Sequence, residues 1–275
     1  MEDLILVKLG GSIITDPNVI EKPRLREINR LMREIKIAKE KKKFKIIVGN
    51  GGGSFPHVPA KKYNLKEGIK DEKSLYGVSL TQDAAARLHR IIFRFAIRNK
   101  LNPFSIPPSS VCITEKGRVK KIFIDTFLKA LDINLTPITY GDVGLDTING
   151  ISIISTEEII RAIAVNDEIN QKFRIKKIIF ATDVDGVYDI DPKISKKARL
   201  IKKMSIRDAE NILNSISDGK RKFNVTGGMR EKVEKAIEIV KEVGTTCQII
   251  NGKKPGYLLK ALLDKKIRST IISIK

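Results

Sequence analysis

The sequence reads as an α/β protein built on a mostly parallel sheet with helices on both faces. Two observations carry this. Short apolar runs alternate with longer amphipathic segments along the whole chain. Several of those runs also end in glycine-rich or acidic turns, where open α/β sheets hold their ligands.

The elements follow in order. LILVKL (Leu4 to Leu9) is a buried strand that ends in Gly10, Gly11 and Ser12. Arg24 to Lys41 repeats Leu25, Ile28, Leu31, Ile35 and Ala38 at a helical period. KIIV (Lys45 to Val48) is the next strand and runs into GNGGGSFPH, Gly49 to His57. Thr81 to Arg98 is helical, with Ala85, Leu88, Ile92 and Phe95 on one face. Proline punctuates a short strand within Asn102 to Ser110. A helix from Asp125 leads to TPITYGDV, and ISIIS (Ile151 to Ser155) introduces a helix from Thr156 to about Val165. IKKIIFATDVDGVY is a strand entering an acidic loop. MSIRDAENIL and GMREKVEKAIEIVKEVG are helices, the second closed by Gly244. CQIING and TIISI are the last strands. The division expected is an N-terminal lobe, 1–170, and a C-terminal lobe, 171–275, joined in one continuous unit.

Composition narrows the class. The 275 residues are 41% hydrophobic and contain no Trp, so the core is built from Ile, Leu and Val. The formal net charge is +21. Its lysines lie in helix-like and loop stretches such as Lys36 to Lys45, without zinc-finger spacing or aromatic-basic interleaving. This is a solvated Lys-rich surface rather than a specific nucleic-acid face, and it also attracts anionic metabolites. Cys112 and Cys247 stand apart without a metal-ligand pattern. Met1 leads into an apolar strand without a cationic leader, and no apolar run is long enough to span a bilayer. A cytoplasmic protein with no membrane partner is expected.

The strand ends carry the chemistry. In KLGGS, Lys8 precedes a turn whose backbone can approach a phosphate closely. Alone, it reads equally as a tight turn with a snorkelling lysine. GNGGGSFPH repeats the device after the next strand, so two glycine turns would face one another across a donor and an acceptor phosphate. Neither turn fits the P-loop or the dinucleotide fingerprint. Asp183 and its neighbours in TDVDGVYDIDP read as turn caps, ribose contacts or Mg²⁺ ligands. NVTGGMREK opens a helix with Gly227 and Gly228 and places Lys232 one turn inside, a second phosphate contact.

KLGGS, GNGGGSFPH, YGDV, TDVDGVY and TGGMREK, in this order, resemble the amino acid kinase family. GGGSFPHVPAKKY, SLTQ, PPSS, ITYGDVGLD and PGYLLKALL resemble its archaeal isopentenyl phosphate kinases more narrowly, so the likeness covers nearly the whole chain. The resemblance implies a three-layer αβα sandwich, an N-terminal substrate lobe, a C-terminal nucleotide lobe and a homodimer. It implies transfer from ATP, with Mg²⁺, to isopentenyl phosphate in isoprenoid biosynthesis by the mevalonate route. It further implies that Lys8, His57 and Lys232 are catalytic. ATP would be held by Lys8, Gly10, Gly11, Ser12, Gly53, Thr182, Asp183, Gly228 and Lys232. The acceptor would be held by Gly51, Gly52, His57, Asp142 and Thr156, with no dedicated protein metal site. A hydrocarbon tail needs an apolar pocket, and the helix around Ser79 to Leu88 reads either as its lining or as ordinary core packing. Where the family writes a lysine after the first turn, this chain has Pro17, and Lys22 is the nearest replacement. Asn50 stands for a His, Pro56 for a Gly, and Ser155-Thr156-Glu157 for S-G-D. Alternatives within reach are a kinase for another phosphate or phosphonate, such as fosfomycin or UMP, or a catalytically weak nucleotide-binding regulator.

Overall fold

The computed structural model describes residues 1–190, 192, 195–217 and 227–275, with backbone alone at 214–217, 227 and 228. In chain order the strands and helices are β1 (Glu2–Leu9), α1 (Gly11–Ile14), α2 (Leu25–Lys41), β2 (Lys45–Asn50), α3 (His57–Lys62) and α4 (Glu72–Arg98). Next come β3 (Pro103–Ser105), α5 (Pro108–Val111), β4 (Cys112–Glu115), β5 (Arg118–Ile122), α6 (Asp125–Asp132), β6 (Thr136–Tyr140), β7 (Asp142–Asp146) and β8 (Gly150–Ile154). The last are α7 (Thr156–Ala164), α8 (Asp167–Lys172), β9 (Phe173–Thr182), β10 (Lys203–Ser205), α9 (Ile206–Ser217), α10 (Gly227–Val243), β11 (Cys247–Asn251), α11 (Tyr257–Leu262) and β12 (Ser269–Ser273).

Among the described residues, eight strands form the central sheet in the order β10-β12-β11-β9-β1-β2-β6-β3. Its pairings are parallel except β11 with β12. Because successive side chains on a strand face opposite ways, β1 divides its residues between two cores. Leu4 and Leu6 join the cluster under α6, α7, α9 and α10. Ile5, Val7 and Leu9 join the cluster under α1, α2, α4 and α11. A strand buried on both faces needs a continuous apolar run, which LILVKL supplies apart from Lys8. The predicted sandwich with a mostly parallel sheet is therefore what forms. β9 pairs with β1 along its length, so the segments before and after residue 170 share one sheet.

A smaller sheet has the order β5-β4-β7-β8. Its β4–β5 hairpin was not expected. The turn is Lys116-Gly117, both at positive φ, and nothing in TEKGRV outside that turn announces strands. α4 begins nine residues before the predicted Thr81. Asp71 caps it by accepting from the Ser74 amide at 2.8 Å. The helix continues through Gly77 because the Tyr63 ring lies where a Cβ would stand, 2.4 Å from Tyr63 Cβ. Helix α11 was likewise unmarked. Gly244 ends α10 at φ 72, as predicted. Cys112 and Cys247 are buried free thiols. Among the described residues, no helix is long and apolar enough to cross a membrane.

Candidate active site

β1, β2, β6 and β9 end side by side, with Lys8 beside Gly49 and Phe180 and with Asn50 beside Tyr140. Each carboxyl end passes into a turn that lines one cavity of about 1160 Å³. Thirteen of the fourteen predicted site residues line it, and the fourteenth, Gly228, stands with Gly227 in the first turn of α10.

The two glycine turns are in backbone contact. A Cβ on Gly11 would lie 2.4 Å from Gly53 N, and one on Gly51 would lie 2.9 Å from Gly11 N. Gly53 adopts φ +55, and its Cβ would meet Thr15 Oγ1 at 2.1 Å. No other residue fits that combination of φ and contact. Thr15 fastens the pair, donating to Gly11 O at 2.9 Å and accepting from Ser54 N at 3.1 Å. Gly10 N and Gly51 N donate to the strand carbonyls of Ala181 and Leu9. The amides of Gly52 and Gly53 donate to no described backbone carbonyl, and both residues line the cavity. The predicted confrontation of two phosphate-sized turns is thus present.

The charges converge on Glu157. Its Oε1 accepts from Lys8 Nζ at 2.5 Å and lies 3.2 Å from Lys232 Nζ, all three side chains being nearly buried. Burial alone would raise the Glu157 carboxyl, but Lys8, Lys232 and the hydrogen bond hold it at about 2. Lys8 is drawn down by burial, against Glu157, with Lys232 adding to the fall. Glu157 sits in the first turn of α7, where the helix dipole favours a carboxylate. Ser155 caps that helix by accepting from Glu158 N at 3.1 Å, a contact worth about 1 kcal/mol. In the sequence, Glu157 shows only as the residue standing where the family writes Asp. The legible signal was an acidic residue directly after a strand-to-helix cap.

Glu158 ties the same helix to α10. It accepts from Arg161 at 2.6 and 3.0 Å, from Val119 N at 2.9 Å, and pairs with Lys235 at 2.8 Å. Glu157 and Lys232 are therefore held in register by a second set of charges one residue further on.

At the acceptor end, His57 begins α3 and opens to the cavity. Desolvation by the surrounding walls, then the Lys8 charge, push its pKa below the usual range, so its imidazole is neutral at pH 7. Pro56 packs on Gly52, where a Cβ would meet its ring at 2.2 Å, and this fixes the turn that carries His57. Thr156 donates to Asn50 O at 2.8 Å, and Gly49 makes room for its methyl, 2.5 Å from a hypothetical Cβ. Asp142 is pushed up by burial, against hydrogen bonds from the Ser109 and Val143 amides.

Asn50 is not in the cavity lining. Its Oδ1 is 3.2 Å from His89 Nδ1, and His89 Nε2 is 2.8 Å from Ser105 Oγ. Burial and then Arg90 lower the His89 pKa to about 4, so its ring is neutral. A carboxamide oxygen only accepts, which places the proton on Nδ1 and makes Ser105 the donor to Nε2. The Asn50 amide then faces the Gly51 carbonyl at 3.4 Å, at the root of the second glycine turn.

Two expectations are corrected. Lys22 does not replace the absent lysine: it lies 3.9 Å from Asp16, is largely exposed and does not line the cavity, whereas Pro17 does. The apolar part of the cavity wall near His57 includes Val58, Ala60, Ile151, Ile153 and Ile154. From the Ser79 to Leu88 stretch only Thr81 reaches it, because Ala84, Ala85 and Leu88 face the core. At the nucleotide end, Thr182 and Asp183 line the cavity. Asp185 is a tether, pairing with Lys254 at 2.7 Å and Arg268 at 3.2 Å. Asp191 and Asn224 to Thr226 lie outside the described residues.

A model of the amino acid kinase family matches residues 3–251. The chain is 31% identical to isopentenyl phosphate kinase of Methanothermobacter thermautotrophicus, over 99% of this chain and 100% of that one. It is 34% identical to the enzyme of that name from Methanocaldococcus jannaschii, over 95% and 96%. X-ray structures of isopentenyl phosphate kinase match at TM-score 0.82 and 27% identity, over 98% of this chain and 100% of the other. UMP kinase from Ureaplasma parvum shares the fold at TM-score 0.66 and 17% identity. With nine-tenths of its length matched by the family model and two paired glycine turns meeting at one lysine-lined cavity, this chain belongs to the amino acid kinase family.

Proposed function

We propose that the protein transfers the γ-phosphoryl group of ATP to isopentenyl phosphate, giving isopentenyl diphosphate, an isoprenoid building block, and ADP. The observation that carries this is the pair of glycine turns in backbone contact, flanked by Lys8 and Lys232 on one carboxylate and by a neutral His57. An oxygen of the acceptor phosphate attacks the γ-phosphorus. The new P–O bond forms as the bond to the bridging oxygen breaks, and ADP leaves with that electron pair. Because this nucleophile is anionic at neutral pH, no general base is needed, and catalysis is positioning and charge neutralisation.

Lys8 and Lys232 are assigned to the charge on the transferring group. Gly10 to Ser12, Gly53, Thr182, Asp183 and Gly228 are assigned to the nucleotide. His57 donates its imidazole N–H to the acceptor phosphate, with Gly51, Gly52, Asp142 and Thr156 framing it. The isoleucines of β8 receive the hydrocarbon tail. Among the described residues, no group of three or more His, Cys, Asp or Glu side chains gathers to hold a metal. Mg²⁺, generic to kinases, would accompany the nucleotide and would withdraw charge from the transferring group.

Purified protein with ATP, Mg²⁺ and isopentenyl phosphate is expected to form the diphosphate, followed by ³¹P NMR against UMP and fosfomycin. Turnover of another acceptor and none of isopentenyl phosphate would refute the substrate. His57→Ala should raise the acceptor KM at least tenfold and leave the ATP KM nearly unchanged; equal loss of both contradicts its assignment. We further infer a homodimer from the family, so sedimentation should give twice the chain mass, and a monomer at assay concentrations would contradict it.

A further inference from the structure

At the opposite edge of the central sheet, where β1 and β2 begin, a second cavity of about 290 Å³ lies against the carboxyl end of α2. Lys36, Lys39, Lys43, Lys45 and Lys100 line it, with Glu2 the one carboxylate. Glu2 is shared between Lys43 at 3.8 Å and Lys45 at 3.6 Å. Lys36 pairs with Glu40 at 3.3 Å. Lys45 also donates to Leu131 O and Asn134 Oδ1, each at 2.7 Å, so two of its three protons are used.

Lys39 is different. Its ammonium donates to Thr136 Oγ1 at 3.1 Å and reaches no carboxylate among the described residues. Two of its N–H protons are uncommitted in a half-buried place, where burial and then Lys45 and Lys36 lower its pKa. Lysines at helix carboxyl ends are ordinary complements to the dipole. That explains single cations, not five lysines bordering one concavity in which Glu2 is the carboxylate of the lining. Like charges held this close repel one another, and a bound anion relieves that repulsion.

We propose that this cavity binds a small multivalent oxyanion of the phosphate or diphosphate class, with Lys39 as its central donor and Lys36, Lys43 and Lys100 around it. Its volume admits a diphosphate and falls below the usual size of a pocket for a whole nucleotide. The site is independent of the phosphoryl-transfer cavity, which opens at the other ends of the same strands.

Inorganic phosphate and inorganic diphosphate, titrated in turn into the ¹⁵N-labelled full chain, test this by amide NMR. Saturable shifts are expected at Lys39, Lys100, Asn134 and Thr136, apart from any at Gly51 to Gly53. Lys39→Met should weaken that set at least tenfold while the glycine response and kcat stay unchanged. Lys100→Glu, at an exposed position, should weaken the same set and serves if Lys39→Met does not fold. Shifts confined to Gly51 to Gly53 would overturn the proposal, as would a distal response that does not saturate or that both variants leave intact.

Discussion

Glu157 holds two ammonium groups with one carboxylate, that of Lys8 at 2.5 Å and that of Lys232 at 3.2 Å. By pairing with both, it sets where Lys8 and Lys232 stand in the cavity. Glu157→Gln keeps the shape and removes the charge, and should lower kcat about 100-fold, with Glu157→Asp retaining more activity. Steady-state kinetics check this, and a change confined to KM would contradict it. The same residue sets an acid limit. Its folded pKa is below the ordinary carboxylate value, so the stability it contributes is present above about pH 4 and lost as pH falls toward 2. Urea unfolding of Glu157→Gln should therefore lose less stability over that window than the unsubstituted protein does. Lys8 was legible because a lysine inside a buried strand is costly without a purpose. Glu157 was not, because its partners are 149 and 75 positions away and only folding brings them together.

At the scale of elements, the Ser105–His89–Asn50 chain joins β3, α4 and the end of β2 beneath the second glycine turn. His89 is stacked on Tyr140 of β6 as well, at 4.4 Å between centroids. The folded protein keeps this ring neutral, with a pKa of about 4 against an ordinary 6.5. A depressed histidine costs stability when it must be charged. The full contribution is therefore present above pH 6.5 and falls as pH drops toward 4, by on the order of 3 kcal/mol. His89→Gln should flatten the pH 7 to 4.5 difference in chemical-unfolding stability; an unaltered profile would show that His89 does not carry it. Periodicity marked α4 only from Thr81, because Gly77 and the polar turn before it break the apolar pattern. The β4–β5 hairpin left less trace still, since β4 is only four residues long and β5 is exposed and mostly charged, with too few apolar residues to alternate.

For the whole molecule, the net charge of +21 and the cavity-lining lysines Lys66, Lys116 and Lys253 act on anionic substrates before contact. The kcat/KM for ATP and for the acceptor should fall several-fold between about 50 and 300 mM salt, with kcat changing little. An unchanged kcat/KM across that range would exclude steering. Order along the chain was enough to establish the layered sheet, its parallel strands and the turns that carry Lys8, Gly10, Gly51 and His57. Apolar period and glycine placement are local properties, and they survive in any single sequence. Tertiary structure alone decided that Gly11 meets Gly53, that Glu157 joins Lys8 to Lys232, that Lys22 stays outside, and that isoleucines of β8 rather than apolar residues of α4 line the cavity. Those facts depend on distances between residues far apart in the chain, which spacing along it does not encode.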